Sequence, residues 1–177
     1  GNLGWIDNRN IWGSQLSALA QLRITYRDGT TETIGTDLSW KASRGPILES
    51  DIYNGEVYDA RREKEGWDEP GFDDSNWQAV RLADYPKDNI IASVGVPVRK
   101  IQELSPKGIF TTPAGEQVID FGQNMTGWVR LRLQGAAGHK VSVQHAEVLD
   151  QEGNFYTANL RAAEARLEYT LKGGGEE

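Results

Sequence analysis

The sequence predicts an all-β protein made of antiparallel β-sandwich material, with two incomplete sandwiches in the chain. Three observations carry this. Period-two segments recur from Leu19 to Leu171, turns rich in Gly, Asn and Asp separate them, and only Leu160–Arg166 (LRAAEAR) has helical propensity. Many short strands with short turns and almost no helix leave sheets packed on sheets as the way to bury an apolar face.

Residues 1–13, GNLGWIDNRNIWG, read as a loop dense in Asn, Asp, Gly and Trp. A fold rarely opens on a long ordered loop, so the chain is expected to start partway through a domain. Leu19–Tyr26 (LAQLRITY) alternates as a half-buried strand, Asp28-Gly29 turns, and Thr31–Ile34 returns. Asp37–Ala42 (DLSWKA) predicts a short strand with Trp40 inward, and Gln78–Leu82 another. Between them Glu63–Trp77 is loop-like, with Asp74 or Ser75 placed to cap a turn of helix. Val96–Leu104 (VPVRKIQEL) alternates, and Pro97 directs it to a sheet edge. Strands are further predicted at Gln117–Phe121, Gly127–Leu133 (GWVRLRL), Lys140–Ala146 and Leu167–Leu171. The boundary falls in Asp84–Gly95, giving domains 1–95 and 96–177.

Composition narrows the function classes. The 177 residues carry a net charge of −7, which argues against a nucleic-acid partner. No apolar run approaches membrane-spanning length, and the first residues do not read as a signal peptide. There is no cysteine, hence no disulfide framework and no thiolate site, and the compartment stays open. Six tryptophans are chiefly core material, with one or two exposed suiting a carbohydrate platform.

The richest stretch for chemistry is Gly45–Arg62, GPILESDIYNGEVYDARR. Asp51, Asn54, Glu56 and Asp59 are oxygen donors, Tyr53 and Tyr58 offer flat faces, and Asn54-Gly55 is a strong turn dipeptide. Two readings stand. The acids are solvated around a polar turn, or converging oxygens bind a hard cation or the hydroxyls of a sugar. The early loop offers a second oxygen set in Asp7, Asn8 and Asn10, beside Trp5 and Trp12. A calcium ion takes ligands from distant loops, so any ligand site is expected where the Trp5–Trp12 loop meets the Asp51–Asp59 turn.

Other motifs are weaker. His145 and Glu147 share a strand face and read first as a structural pair, second as a catalytic or metal pair. With two histidines and no cysteine, a transition-metal site is not expected. Asn124-Met125-Thr126 matches the glycosylation pattern, but a turn before a strand explains it equally well. Carboxylate pairs are plentiful, yet none sits in an apolar stretch that would raise a pKa for glycosidic acid catalysis.

Four long blocks, SDIYNGEVYDARRE, GWDEPGFDDSNWQAV, VIDFGQNMTGWVRLRL and HAEVLDQEGNFYTANLRAAEARLEYTLKGGGEE, carry a resemblance. In this order they resemble the accessory β-domains of bacterial α-L-rhamnosidases, glycoside hydrolase family seventy-eight. The resemblance implies a jelly-roll domain, its later part at 1–95, followed by the start of a concanavalin-like sandwich at 96–177. It implies a parent enzyme that hydrolyses terminal α-L-rhamnosyl bonds with carboxylates on a separate (α/α)-barrel, so no catalytic residue is expected here. It further implies calcium-dependent recognition of L-rhamnose, with Asp7, Asn8 and Asn54 as metal ligands and Trp5 or Tyr53 covering the sugar. The expected partners are a rhamnose-containing glycan, the remainder of the parent enzyme, and other copies of the chain joined at exposed sheet edges. Two alternatives are a stand-alone carbohydrate-binding module and a purely structural sandwich that braces the barrel.

Overall fold

The computed structural model describes residues 10–11 and 13–177. Twelve strands are present among them: β1 (Gln21–Thr25), β2 (Thr31–Gly35), β3 (Lys41–Ala42), β4 (Ile47–Asp51), β5 (Gly55–Asp59), β6 (Gln78–Ala79), β7 (Gly108–Thr111), β8 (Gln117–Asp120), β9 (Lys140–Gln144), β10 (Val148–Leu149), β11 (Phe155–Tyr156) and β12 (Arg166–Thr170). The helical content of the described residues is two single 3-10 turns, Ala60–Arg62 and Ala158–Leu160. The protein is thus all-β, and every pairing is antiparallel except β5 with β12, which run parallel.

The chain divides into two compact units that interleave in sequence. One joins the described residues up to Gly45 with Lys64–Ser93; the other joins Pro46–Glu63 with Val94–Glu177. In the first unit, β1 and β2 form the predicted hairpin, in register from Gln21↔Gly35 to Thr25↔Thr31. Its turn is held by the Asp28 carboxylate, which accepts from the Thr30 N–H at 2.9 Å and the Thr30 hydroxyl at 2.7 Å. Gly29 there takes the positive φ that glycine tolerates best. β3 pairs with β6, and the Lys41 Nζ–Asp74 Oδ1 ion pair at 2.7 Å spans the same two segments. Trp40 is not inward as expected but 45% exposed, because the strand that would orient it begins one residue later and is only two residues long. The Asp73–Trp77 stretch forms turns rather than a helix, with the Ser75 N–H on the Asp73 carboxylate and the Trp77 N–H on the Asp74 carbonyl.

The second unit is built on a four-stranded sheet in the order β4-β5-β12-β9. The Tyr58 and Tyr169 rings, opposite each other in register, stack with centroids 5.3 Å apart. Ala60 and Leu171 are almost wholly buried just past the ends of β5 and β12, beside the buried Asp59 and Thr170. β7 and β8 form a separate hairpin, as do β10 and β11.

Two expected strands are absent. Residues 96–104 and 127–132 have no ladder among the described residues; the second stretch is anchored at its end, where Leu133 and Glu177 exchange N–H···O bonds of 2.8 Å. Alternation specifies which side chains share a face, but a strand also needs a neighbouring backbone to bond, and the pattern does not name one. The predicted helical stretch Leu160–Arg166 yields only the end of a 3-10 turn, and Arg161 leaves it at positive φ.

Candidate functional site

Residues Asp51–Gly55 join β4 to β5, and the sequence accounts for the local shape. The Asp51 Oδ1 accepts the N–H of Tyr53 at 2.9 Å and of Asn54 at 3.0 Å, an Asx-type turn. Gly55 follows at φ +104°, where a Cβ would lie 2.0 Å from the Arg166 carbonyl oxygen, so the close approach of β12 requires glycine here. The turn docks on the residues leading into β12: the Ala165 N–H donates to the Tyr53 carbonyl and the Arg166 N–H to the Asn54 carbonyl, each at 2.9 Å.

The N–H and carbonyl groups of Tyr53 and Asn54 are therefore all engaged, while the Asn54 carboxamide makes no hydrogen bond among the described residues. Tyr53 is 46% exposed and offers a ring face. Among the residues assigned to the metal or the sugar, these are the two that the structure describes. Trp5, Asp7 and Asn8, the other candidates, lie outside the described residues.

The remaining acids of the stretch are used differently from the cation reading. Asp59 is buried and paired with Arg61 in a two-pronged bridge, Nε to Oδ1 at 2.8 Å and Nη2 to Oδ2 at 2.9 Å. That bridge holds its carboxyl below the usual carboxylate range. Asp59 also caps the 3-10 turn by accepting the Arg61 N–H. Tyr58 donates to Glu63 at 2.9 Å, and burial together with Glu63 pushes its phenol up to about 12. Tyr169, donating to Glu177, is raised for the same reasons. Glu56 lines a cavity of about 220 Å³ with Tyr58, Leu167 and Tyr169 of the sheet and Val129, Leu131 and Leu133 of the stretch that ends on the Glu177 bonds.

Among the described residues no group of three or more His, Asp or Glu side chains converges as a metal site. His145 and Glu147 do not pair with each other. The His145 backbone N–H and its Nδ1 both meet the Ala165 carbonyl, at 3.0 and 2.9 Å, and Glu147 accepts from Asn159. Sequence reasoning missed the segment 161–165, bounded by Arg161 at φ 60° and Ala165 at φ 46°. Nothing in LRAAEAR signals left-handed backbone; Ala165 takes it where its N–H bonds the Tyr53 carbonyl and its own carbonyl accepts from His145.

The architecture is that of an all-β, sandwich-type region. Comparison with known proteins makes this specific. Residues 1–102 match the α-L-rhamnosidase N-terminal domain, and residues 110–177 match the bacterial α-L-rhamnosidase concanavalin-like domain. The chain belongs to the α-L-rhamnosidase family.

It is 48% identical over its whole length to an α-L-rhamnosidase of Streptomyces avermitilis, of which it covers 17%, and 40% identical over 147 residues to one of an Alteromonas species, of which it covers 16%. The crystal structure of the Streptomyces avermitilis enzyme complexed with L-rhamnose superposes with a TM-score of 0.90 at 49% identity, over 100% of this chain and 17% of that one. The native enzyme of Aspergillus terreus gives 0.93 at 39% identity, over 100% and 20%. The chain thus spans about a sixth of these relatives, and the region they share with it is the accessory β-domain region.

Proposed function

We propose that this chain serves as the non-catalytic accessory region of an α-L-rhamnosidase that hydrolyses terminal α-L-rhamnosyl bonds, working with the remainder of such an enzyme. The observation that supports this best is the match, in order, of two successive rhamnosidase β-domains across nearly the whole chain. We divide it into 1–95, the later part of the N-terminal sandwich, and 96–177, the first part of the concanavalin-like one.

In this reading the first part recognises L-rhamnose with calcium. Asp7, Asn8 and Asn54 hold the metal, and Trp5 or Tyr53 covers the apolar face of the sugar. The unpartnered Asn54 carboxamide on a backbone-locked turn suits this role, since a preorganised oxygen loses little freedom on binding. The bound calcium would supply positive charge to which sugar hydroxyls can coordinate. The chain also associates with other copies through its open sheet edges.

Two assays test the core of the proposal. The purified chain should show no turnover of an aryl α-L-rhamnoside above a mock preparation; turnover would refute the non-catalytic assignment. Calorimetry should detect L-rhamnose binding that a chelator abolishes and that Asp7→Ala or Asn54→Ala weakens at least tenfold. Equal binding by those variants would remove the assigned residues.

A further inference from the structure

We infer that His145 is a positioning residue for the Tyr53–Asn54 turn, acting through the peptide of Ala165. The inference rests on the reading of Tyr53 and Asn54 as ligand residues, and its geometry lies wholly within one compact unit. The ladder between β9 and β12 ends at Gln144↔Arg166. One residue beyond that end, the Ala165 carbonyl receives both the His145 N–H at 3.0 Å and the His145 ring through Nδ1 at 2.9 Å. Since a carbonyl only accepts, the ring must carry its proton on Nδ1. The adjacent Gln144 side chain donates to the Glu164 carbonyl at 3.2 Å.

The grip matters because Ala165 sits at φ 46°, a left-handed conformation that an alanine does not hold unaided. In that conformation the Ala165 N–H reaches the Tyr53 carbonyl and the Arg166 N–H reaches the Asn54 carbonyl. Loss of the ring bond leaves the Ala165 carbonyl held by the His145 backbone N–H alone, which eases relaxation of the residue toward negative φ and swings its N–H away from Tyr53. The turn then keeps its own Asp51 bonds but loses its seat on β12. His145 touches no ligand in this scheme; it fixes where the Asn54 carboxamide and the Tyr53 ring stand.

The test compares the wild-type chain with His145→Ala and His145→Asn, since an asparagine amide can replace the Nδ1–H donor. Residue-resolved amide exchange and L-rhamnose calorimetry in calcium are both read. His145→Ala should speed exchange of the Ala165 and Arg166 amides about tenfold and weaken rhamnose binding about threefold to tenfold, in line with loss of one hydrogen bond. His145→Asn should restore both, and exchange within β5 should not change, which shows that the variants are folded. Unchanged exchange at Ala165 and Arg166 in the alanine variant overturns the inference, and so does faster exchange with unaltered affinity or a failure of asparagine to rescue. Absence of rhamnose binding by the wild type instead sinks the ligand reading, and the exchange arm then decides alone whether His145 holds the turn.

Discussion

At the scale of single residues, Gly55 shows how a turn dipeptide comes to be structural. Asn54-Gly55 is legible in the sequence as a turn, but the reason for glycine is not, because it depends on a strand more than a hundred residues later. The Arg166 carbonyl would lie 2.0 Å from a Cβ at position 55, at a backbone φ of +104°. Gly115 offers a comparison: its φ is +91°, yet nothing lies within 4 Å of its would-be Cβ. Gly115→Ala should therefore cost only the left-handed strain, about 1 kcal/mol. Gly55→Ala adds a backbone clash that parallel pairing cannot absorb, so at least about 2 kcal/mol is expected. In thermal denaturation that is a fall of roughly 4–8 °C for a chain of this size. Equal shifts for the two variants would show that the Arg166 contact does not constrain the turn. The same limit on local reading applies to Asp59. Its carboxylate looks like a ligand in sequence, and only the fold shows it committed to Arg61.

At the scale of elements, side-chain alternation made several strands legible, but it did not name the backbone each would pair with. β1 and β2 were readable because Asp28-Gly29 sets their register. β9 and β12 were readable as alternating segments, though their neighbours were not. β4 and β5 were missed as strands, since Ile47–Asp51 carries mostly polar residues after its first two and the stretch reads as a ligand turn. The opposite error occurred at 96–104, which alternates well and pairs with nothing among the described residues. There Val94, Val96, Val98 and Ile101 are 97%, 91%, 90% and 95% exposed. Backbone that is neither laddered nor packed opens to a protease at little cost. Limited trypsin digestion should therefore cut at Arg99 and Lys100 well before Arg61, Lys140 or Arg166, which belong to or flank the four-stranded sheet. Cleavage at the sheet residues first, with Arg99 and Lys100 intact, would mean that this stretch is covered in solution. Of the candidate site, the turn was readable from Asn54-Gly55, while its seat on Ala165 and Arg166 was not, because that contact is set by a parallel pairing.

At the scale of the whole molecule, the exposed area decides how the chain behaves in solution. The chain exposes 15283 Å² at 19.7 kDa. A compact monomer of that mass exposes about 8,600 Å², and two separate compact domains of half the mass together expose about 10,400 Å². The excess therefore persists however the units are arranged. Part of it is apolar, and it is densest along one stretch, where Val94, Val96, Val98 and Ile101 are all exposed. Among the described residues, no further strand pairs with the two edges of the four-stranded sheet, β4 and β9. β4 carries a register shift between Ile47 and Glu49, a feature that discourages edge pairing, whereas β9 pairs regularly over all five residues and has a single charged residue, Lys140. β9 is thus the edge best suited to recruit another strand. Light scattering of the purified chain should show dimers or larger species, with the fraction rising with concentration. Ser142→Pro would remove an N–H and stiffen the edge, but it also risks the β12 ladder; Ser142→Lys, which adds a charge at an exposed position, is the safer variant and should shift the distribution toward monomer. A wild-type chain that stays a monodisperse monomer across the concentration range would overturn the self-association, and an unchanged distribution in Ser142→Lys would move it away from β9 to the apolar surface of 94–104.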